Sequence, residues 1–145
     1  MITKLVENGV VKAHQYWPDE DNATLELEND IKVMFESEET DKGLDRRTFI
    51  VSNKGNSQLG LKLSSVYNNL CPATELTVEQ VHCQNWPDLQ APKDTSVLLD
   101  MFEMVEELLV ESPGTLLVHC SAGVGRTGAF IGLYKLIKDV NNGVS

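Results

Sequence analysis

The chain has 145 residues, with 12 Lys and Arg against 22 Asp and Glu, so its formal net charge at pH 7 is −10. This length predicts one globular domain, and the evenly spread acidic excess excludes nucleic acid or an anionic membrane surface as the main partner. No run of 18 apolar residues occurs, which predicts no membrane span in this chain.

The first part of the chain is rich in predicted strands and turns. Residues 1–9 are predicted to be the last turn of a helix that ends at Gly9. A turn is predicted at Asp19–Asn22, and Glu36–Asp45 and Ser52–Glu75 are predicted as loops. Strands are predicted at Thr24–Leu27, Ile31–Phe35, Thr48–Val51 and Thr77–Cys83.

The second part of the chain alternates helix, strand and helix. Asp94–Glu111 carries an apolar stripe at helical spacing, and Ser112-Pro113-Gly114 is predicted to stop that helix. Leu116–Val118 is predicted to be a buried strand, and Thr127–Val140 a second helix. This alternation indicates an α/β protein.

The three cysteines, Cys71, Cys83 and Cys120, are widely spaced. A small, odd number of distant cysteines predicts free thiols in a reducing compartment, and therefore a cytoplasmic location. The pattern also leaves room for one thiol with a chemical role.

The most informative segment runs from Val118 to Gly128 and reads Val-His-Cys-Ser-Ala-Gly-Val-Gly-Arg-Thr-Gly. It joins a predicted strand to a predicted helix, and the free N–H groups and dipole of a helix start favour a bound anion. Gly123 and Gly125 let the backbone turn its N–H groups inward. Arg126 has a planar fork suited to two phosphate oxygens. The segment predicts a phosphate-binding loop.

Cys120 begins this loop, and its surroundings predict a thiolate. Donors aimed at the sulfur and a nearby arginine lower the pKa of a cysteine below its usual value of about 8.5. A thiolate that faces a bound phosphate ester is placed for in-line attack. His119 is predicted to orient the loop, and Thr127 to donate its hydroxyl proton to the sulfur. Taken alone, Cys120 also fits an ordinary buried cysteine.

The leaving oxygen needs a proton donor, and the candidate is Asp88 in Trp86-Pro87-Asp88. Trp86 can anchor this loop by packing, and Pro87 and Pro92 stiffen it, so that the carboxyl can move over the substrate and exclude water. A second Trp-Pro-Asp triplet ends at Asp19, but further acidic residues follow it, which predicts a solvated turn there.

These residues resemble the tyrosine-specific protein tyrosine phosphatases. The resemblance rests on His119–Gly128, which matches the family's signature loop, on Trp86-Pro87-Asp88, and on Lys12 with Gln15-Tyr16-Trp17-Pro18, in the family's order. It implies an α/β fold, with a twisted mixed β-sheet flanked by helices and the Cys-x5-Arg phosphate loop between a strand and a helix.

The resemblance also implies an activity, the hydrolysis of phosphotyrosine in proteins through a phosphocysteine intermediate. Cys120 would be the nucleophile, Asp88 the general acid and then the general base, and Thr127 would assist release of the thiolate. The phosphate would be bound by Arg126 and by the backbone of Ser121, Ala122, Gly123, Val124 and Gly125. No metal and no cofactor is expected.

Two supporting residues are implied as well. Glu7 would pair with Arg126, and Lys12 would lie near the loop of Trp86, Pro87 and Asp88, called the acid loop below. Both residues also fit ordinary surface charges. In the acid loop itself, Gln90 and Ala91 stand where the family favours Gly and Val, which predicts an altered loop closure.

The expected partners are phosphotyrosine-containing proteins or peptides. The location would be cytoplasmic, either as a free protein or as the cytoplasmic part of a larger receptor-type protein. Because the family's domain extends further at both ends, residues 1–145 are predicted to form a single, partial domain.

Two other functions stay open. An intact phosphate loop can bind phosphotyrosine without turnover, as a regulatory module, although such modules commonly lose the residue that Asp88 or Cys120 represents. A dual-specificity phosphatase fits the chain length better, but it fits the Tyr-Trp-Pro strand and the full signature loop less well.

Overall fold

A computed structural model describes residues 1–28, 30–53 and 75–143. The described part contains two helices, α1 (Ser96–Glu111) and α2 (Arg126–Asn141). Its strands are β1 (Val6–Glu7), β2 (Val10–Val11), β3 (Thr24–Leu27), β4 (Ile31–Asp41), β5 (Leu44–Asn53) and β6 (Glu75–Cys83). The last four form one sheet in the order β3-β4-β5-β6, and β1 pairs with β2. The predicted α/β class is confirmed.

The chain divides into two compact units. The first unit comprises Met1–Gln15, Thr40–Arg46 and Val81–Ser145, and the second comprises Tyr16–Glu39 and Arg47–Gln80. Strands β4, β5 and β6 contribute residues to both units. Every residue predicted for the functional site belongs to the first unit.

Residues 6–11 form a β-hairpin, so the helix end predicted for residues 1–9 is wrong. Val6 pairs with Val11 and Glu7 with Val10 in an antiparallel ladder. The connecting residues Asn8 and Gly9 have φ angles of 51° and 77°. Positive φ at both positions defines a type I′ turn, for which Asn-Gly is a preferred sequence. The pair Asn8-Gly9 is the local signal that separates this hairpin from a helix stop.

A second hairpin replaces the loop predicted at Glu36–Asp45. β4 continues to Asp41, Lys42 and Gly43 turn with φ angles of 50° and 76°, and β5 begins at the fully buried Leu44. Residues 36–43 are exposed, so the acidic side chains face water while the backbone keeps its pairing. Charge therefore marked solvent exposure here and not the end of the strand.

The four strands predicted in the first part of the chain are confirmed. β3 has the predicted bounds, and β4, β5 and β6 contain the predicted ranges and extend beyond them. The Ser52–Glu75 loop is replaced at its ends by β5, which runs to Asn53, and β6, which starts at Glu75. The rest of that predicted loop, with Cys71, lies outside the described residues.

In the second unit, aromatic side chains pack along the strands. Phe49 is buried and its ring centroid lies 6.4 Å from that of Phe35. The guanidinium of Arg47 lies 5.0 Å from the ring centroid of the buried Trp17, a cation–π contact. Asp19 Oδ1 accepts a hydrogen bond from the backbone N–H of Asn22 at 3.0 Å, which confirms the predicted turn.

The core of the first unit is made by both helices and by the chain segments that carry the site. The rings of Phe102 on α1 and Phe130 on α2 lie 5.1 Å apart, and Tyr134 stacks on Phe130. The buried members of this cluster are Ile2, Leu44, Cys83, Trp86, Val97, Met101, Phe102, Val105, Cys120 and Phe130. The two helix predictions are confirmed, with α1 starting at Ser96 and α2 at Arg126.

The buried strand predicted at Leu116–Val118 is wrong. The structure assigns no regular secondary structure to residues 113–120, and Leu117 is 82% exposed. An apolar run becomes a buried strand only where another strand pairs with it, and none of the described strands pairs with this segment. Its last residues are nevertheless held in place, because the Ile2 N–H donates to the His119 carbonyl at 2.9 Å.

Candidate active site

Cys120 and Arg126 lie at the two ends of one loop. Cys120 is 7% exposed and belongs to the core, whereas residues 121–125 are all exposed bends. Gly123 has a φ of 77°, a conformation that residues with a Cβ rarely adopt. α2 begins at Arg126, so the free N–H groups of its first turn belong to this loop.

The Cys120 thiol has an altered acidity. Burial on its own raises the pKa, but donors in the same loop outweigh burial and lower the pKa of Cys120 to about 7. These donors are the Thr127 hydroxyl and the backbone N–H groups of Thr127, Gly123 and Gly125. A cysteine with this pKa is partly a thiolate at neutral pH, which is the nucleophilic form.

The Thr127 hydroxyl is buried and has no hydrogen-bond partner among the described residues. Its effect on the Cys120 pKa is therefore that of a nearby donor and not of a bond already formed. A buried hydroxyl in this state gains most when the neighbouring sulfur carries a full negative charge.

Arg126 is almost fully buried, and four side-chain hydrogen bonds fix its guanidinium. Nη1 donates to Glu7 Oε1 at 2.7 Å and to the Trp86 carbonyl at 2.8 Å. Nη2 donates to Thr3 Oγ1 at 3.1 Å and to Asp88 Oδ1 at 3.2 Å. The remaining N–H, on Nε, is buried without a hydrogen-bond partner among the described residues, so it is a donor available to an anion.

Glu7 connects Arg126 to the acid loop. Its Oε1 accepts from Arg126, and its Oε2 accepts from the backbone N–H of Asp88 at 3.1 Å. Burial raises the pKa of the Glu7 carboxyl, but the hydrogen bonds from Arg126 and Asp88 outweigh burial and hold it below its ordinary value. Glu7 is therefore an ionised partner of Arg126.

Asp88 lies between two cations. Its Oδ2 is 2.7 Å from Lys12 Nζ, and its Oδ1 accepts from Arg126. The hydrogen bond from Lys12 lowers the pKa of Asp88 most strongly, and the charge of Arg126 adds to this effect. In this arrangement Asp88 is a carboxylate at neutral pH.

A hydrogen bond between two residues of the acid loop holds the loop in shape. The buried Trp86 donates from Nε1 to the Gln90 carbonyl at 2.8 Å, and Pro87 between Trp86 and Asp88 is half-buried. Because the bond uses the main chain of Gln90, it does not depend on the side chain at that position. Leu89 has a φ of 57° and is 96% exposed.

His119 contacts the main chain of Cys120, because its Nδ1 donates to the Cys120 carbonyl at 3.1 Å. The structure thus brings Glu7, Lys12, Asp88 and Arg126 into one set of contacts. It adds Thr3 and the Trp86 carbonyl, which sequence reasoning missed. No pattern in the sequence marks either group, since both act through contacts between segments far apart in the chain.

Among residues 1–28, 30–53 and 75–143, no group of three or more His, Cys, Asp or Glu side chains could hold a metal ion. Across the same ranges, the structure contains no helix with the length and apolar character that a membrane crossing requires.

Comparison with known proteins places these features in a family. A family model described as protein-tyrosine phosphatase matches residues 1–145. Over 142 residues the chain is 34% identical to receptor-type tyrosine-protein phosphatase eta of Gallus gallus, a match that covers 97% of this chain and 9% of that protein. It is also 30% identical over 142 residues to phosphatidylinositol phosphatase PTPRQ of Rattus norvegicus, covering 98% of this chain and 5% of the relative.

A solved structure gives the same result. The protein tyrosine phosphatase TbPTP1 of Trypanosoma brucei superposes with a TM-score of 0.76 and 30% sequence identity. The superposition covers 99% of this chain and 46% of the trypanosome chain, so this chain spans about half of that protein. The family model, the relatives and the fold agree, and the chain belongs to the protein-tyrosine phosphatase family.

Proposed function

We propose that this chain carries a phosphatase active site that hydrolyses phosphotyrosine in proteins through a phosphocysteine intermediate on Cys120. The observation that carries the proposal is the position of the buried Cys120 thiol at the start of the loop that ends at Arg126, where donors of the loop lower its pKa to about 7. A structural cysteine has no need of such donors, whereas a nucleophile does.

In the first step, the Cys120 thiolate attacks the phosphorus of the substrate. A P–S bond forms as the bond between phosphorus and the tyrosine oxygen breaks, and Asp88 transfers a proton to the departing phenolate oxygen. The backbone N–H groups of the loop and the free Nε–H of Arg126 bind the phosphoryl oxygens, on which negative charge is carried through the transition state.

In the second step, water attacks the phosphorus of the phosphocysteine. Asp88, now a carboxylate, takes a proton from this water, the P–S bond breaks, and inorganic phosphate forms. The Thr127 hydroxyl donates to the sulfur as it becomes a thiolate again, and this role accounts for a buried hydroxyl that has no hydrogen-bond partner among the described residues.

Asp88 must hold a proton to act as an acid, although Lys12 and Arg126 lower its pKa in this structure. A bound phosphate dianion places two negative charges close to the same cations. This charge opposes ionisation of Asp88 and raises its pKa, so the substrate itself prepares the acid for the first step.

The substrates we propose are phosphotyrosine-containing proteins or peptides, in keeping with the similarity of the chain to receptor-type tyrosine-protein phosphatases. The proposed location is cytoplasmic, because a thiolate nucleophile requires a compartment that keeps Cys120 reduced. Cys120 and Cys83 are both free in the structure.

The experiment is a phosphate-release assay of this chain on three substrates, a phosphotyrosine peptide, the same peptide with phosphoserine, and a phosphatidylinositol phosphate in micelles. We expect release from phosphotyrosine alone, abolished in Cys120→Ser and retained in Cys83→Ala. Rapid mixing should show a burst of phenol release as the phosphocysteine forms. Stoichiometric binding without release, or release that survives Cys120→Ser, would refute the proposal.

A further inference from the structure

Thr3 is a fully buried polar residue in direct contact with the predicted anion site. Its Oγ1 accepts a hydrogen bond from Arg126 Nη2 at 3.1 Å. The single hydroxyl proton is shared between Glu7 Oε1 at 3.3 Å and the Lys4 carbonyl at 3.1 Å. The hydroxyl therefore touches both members of the Arg126–Glu7 ion pair.

The contacts of Arg126 divide into fixed and exchangeable ones. Glu7, the Trp86 carbonyl and Thr3 are buried or nearly buried partners of its terminal nitrogens, whereas the Asp88 side chain is 31% exposed. The edge of a guanidinium that carries Nε–H and Nη2–H forms a two-pronged donor for an oxyanion. Thr3 holds Nη2, so it orients the edge to which the free Nε also belongs.

Thr3 is an uncharged partner of Arg126, and this matters for the positive charge of the guanidinium. Glu7 already offsets the positive charge of Arg126, and a second permanent carboxylate on Nη2 would leave the guanidinium with a net negative surrounding. A hydroxyl accepts a hydrogen bond without adding charge. Thr3 can therefore fix the orientation of Arg126 while leaving its positive charge available to phosphate.

Thr3 is itself held on both sides of its main chain. His82 is 2% exposed, and its Nε2 donates to the Thr3 carbonyl at 2.7 Å. The adjacent Ile2 N–H donates to the His119 carbonyl, next to Cys120, and the Cys83 N–H donates to the Met1 carbonyl. Residues 1–3 thus run between the end of β6 and the nucleophile, which sets the position of Thr3 relative to Cys120.

We propose that Thr3 is a positioning residue that orients Arg126 for oxyanion binding through its hydroxyl, with His82 fixing its main chain. The proposal rests on the phosphatase function proposed above. It concerns phosphate affinity and not the acidity of Cys120, because the donors that lower that pKa most strongly belong to Thr127, Gly123 and Gly125 and not to Thr3.

The test compares Thr3→Ser with Thr3→Ala, two variants that both lack the methyl group and differ only in the hydroxyl. Thr3→Val keeps the shape and removes the hydroxyl. The measurements are the affinity for inorganic phosphate by titration calorimetry, kcat/KM on p-nitrophenyl phosphate, and the rate of Cys120 alkylation by iodoacetamide.

We expect Thr3→Ala and Thr3→Val to bind phosphate about 10- to 100-fold more weakly, the order expected for a lost hydrogen bond to a charged group. Thr3→Ser should stay within about threefold of the parent, and alkylation of Cys120 should be unchanged in all folded variants. A merely structural role would slow alkylation and weaken binding together, and would not be rescued by serine.

Equal phosphate affinity in the Ser and Ala variants would overturn the role of Thr3 while leaving the phosphatase function intact. If Thr3→Val fails to fold, the Ser and Ala pair decides the matter alone. A parent chain that neither binds phosphate nor turns over p-nitrophenyl phosphate would refute the proposed function, and this inference with it.

Discussion

Arg126 Nη2 donates a hydrogen bond to Asp88 Oδ1 at 3.2 Å, so the guanidinium holds a carboxylate through one of its N–H groups. Carboxylate and phosphate oxygens make the same charge-assisted hydrogen bonds with arginine. Under the proposed function, Asp88 therefore competes with a substrate phosphate for one N–H of Arg126, and leaves that N–H when it turns to the leaving oxygen.

Replacement of Asp88 by asparagine should separate binding from turnover. Asp88→Asn removes the competing charge, so inorganic phosphate should bind about three- to tenfold more tightly, while kcat on phosphotyrosine falls about 100- to 10,000-fold for want of an acid. Calorimetry and steady-state kinetics measure the two effects. Asp94→Asn, at an exposed carboxylate that accepts hydrogen bonds from Ser96 outside the site, is the matched control. Weaker phosphate binding in Asp88→Asn would contradict the competition.

The acidity of Cys120 should appear as a pH profile. Because the thiolate reacts, alkylation by iodoacetamide should accelerate as pH rises and level off above about pH 7, the pKa of Cys120. Thr127→Ala removes a donor to the sulfur, so its midpoint should move to higher pH. Ser121→Ala, which removes an exposed hydroxyl of the same loop, should keep the parent profile.

The site of alkylation can be read by mass spectrometry. Burial raises the pKa of the fully buried Cys83, so at pH 7 the adduct should form on Cys120 and not on Cys83. Faster labelling of Cys83 would remove the ground for treating Cys120 as the special thiol.

Glu7→Gln should lower the free energy of unfolding and make that free energy depend less on pH. Breaking this buried ion pair removes one of the two carboxylates that contact Arg126 and leaves only the more exposed Asp88. The expected cost is about 3 kcal/mol in the free energy of unfolding. The folded pKa of Glu7 is depressed, so its contribution is present above the unfolded value of about 4.3 and is lost as pH falls through the folded pKa.

Urea unfolding at pH 7 and at pH 3 measures this difference. The difference in the free energy of unfolding between the parent chain and Glu7→Gln should be smaller at pH 3 than at pH 7. Glu107→Gln, at an exposed position on α1, should unfold like the parent at both values. A gap that stays constant from pH 7 to pH 3 would show that the Glu7 charge does not stabilise the fold.

The packing of α1 on α2 should depend on Phe130. Phe130 is 3% exposed and contacts both Phe102 and Tyr134, so Phe130→Ala should cost about 3–5 kcal/mol of unfolding free energy. Leu136→Ala on the same helix removes a side chain that is 62% exposed and should cost less than about 1 kcal/mol. Thermal unfolding of the two variants, side by side, tests whether the assigned core face is correct.

Some elements were predictable because their signals are local. The strands β3–β6 and the helices α1 and α2 follow from apolar spacing over a few residues. Local patterns also misled, since Gly9 taken alone ends a helix or turns a hairpin equally well. The pair Asn8-Gly9, with positive φ at both residues, is what marks the hairpin. The apolar Leu117 is exposed, because burial depends on what packs against a residue and not on its own hydropathy.

The sequence by itself determined that Cys120 and Arg126 begin and end one short loop at a helix start, because all its groups lie within eight residues. The family resemblance implied Glu7 as a partner of Arg126, but only the tertiary structure decided the full set of groups that hold it. Its partners Asp88, Glu7 and Thr3 are 38, 119 and 123 positions away, and contacts at such separations arise from packing, which no local spacing encodes. A buried guanidinium is placed by every donor and acceptor that reaches it, and those groups meet only when the chain has folded.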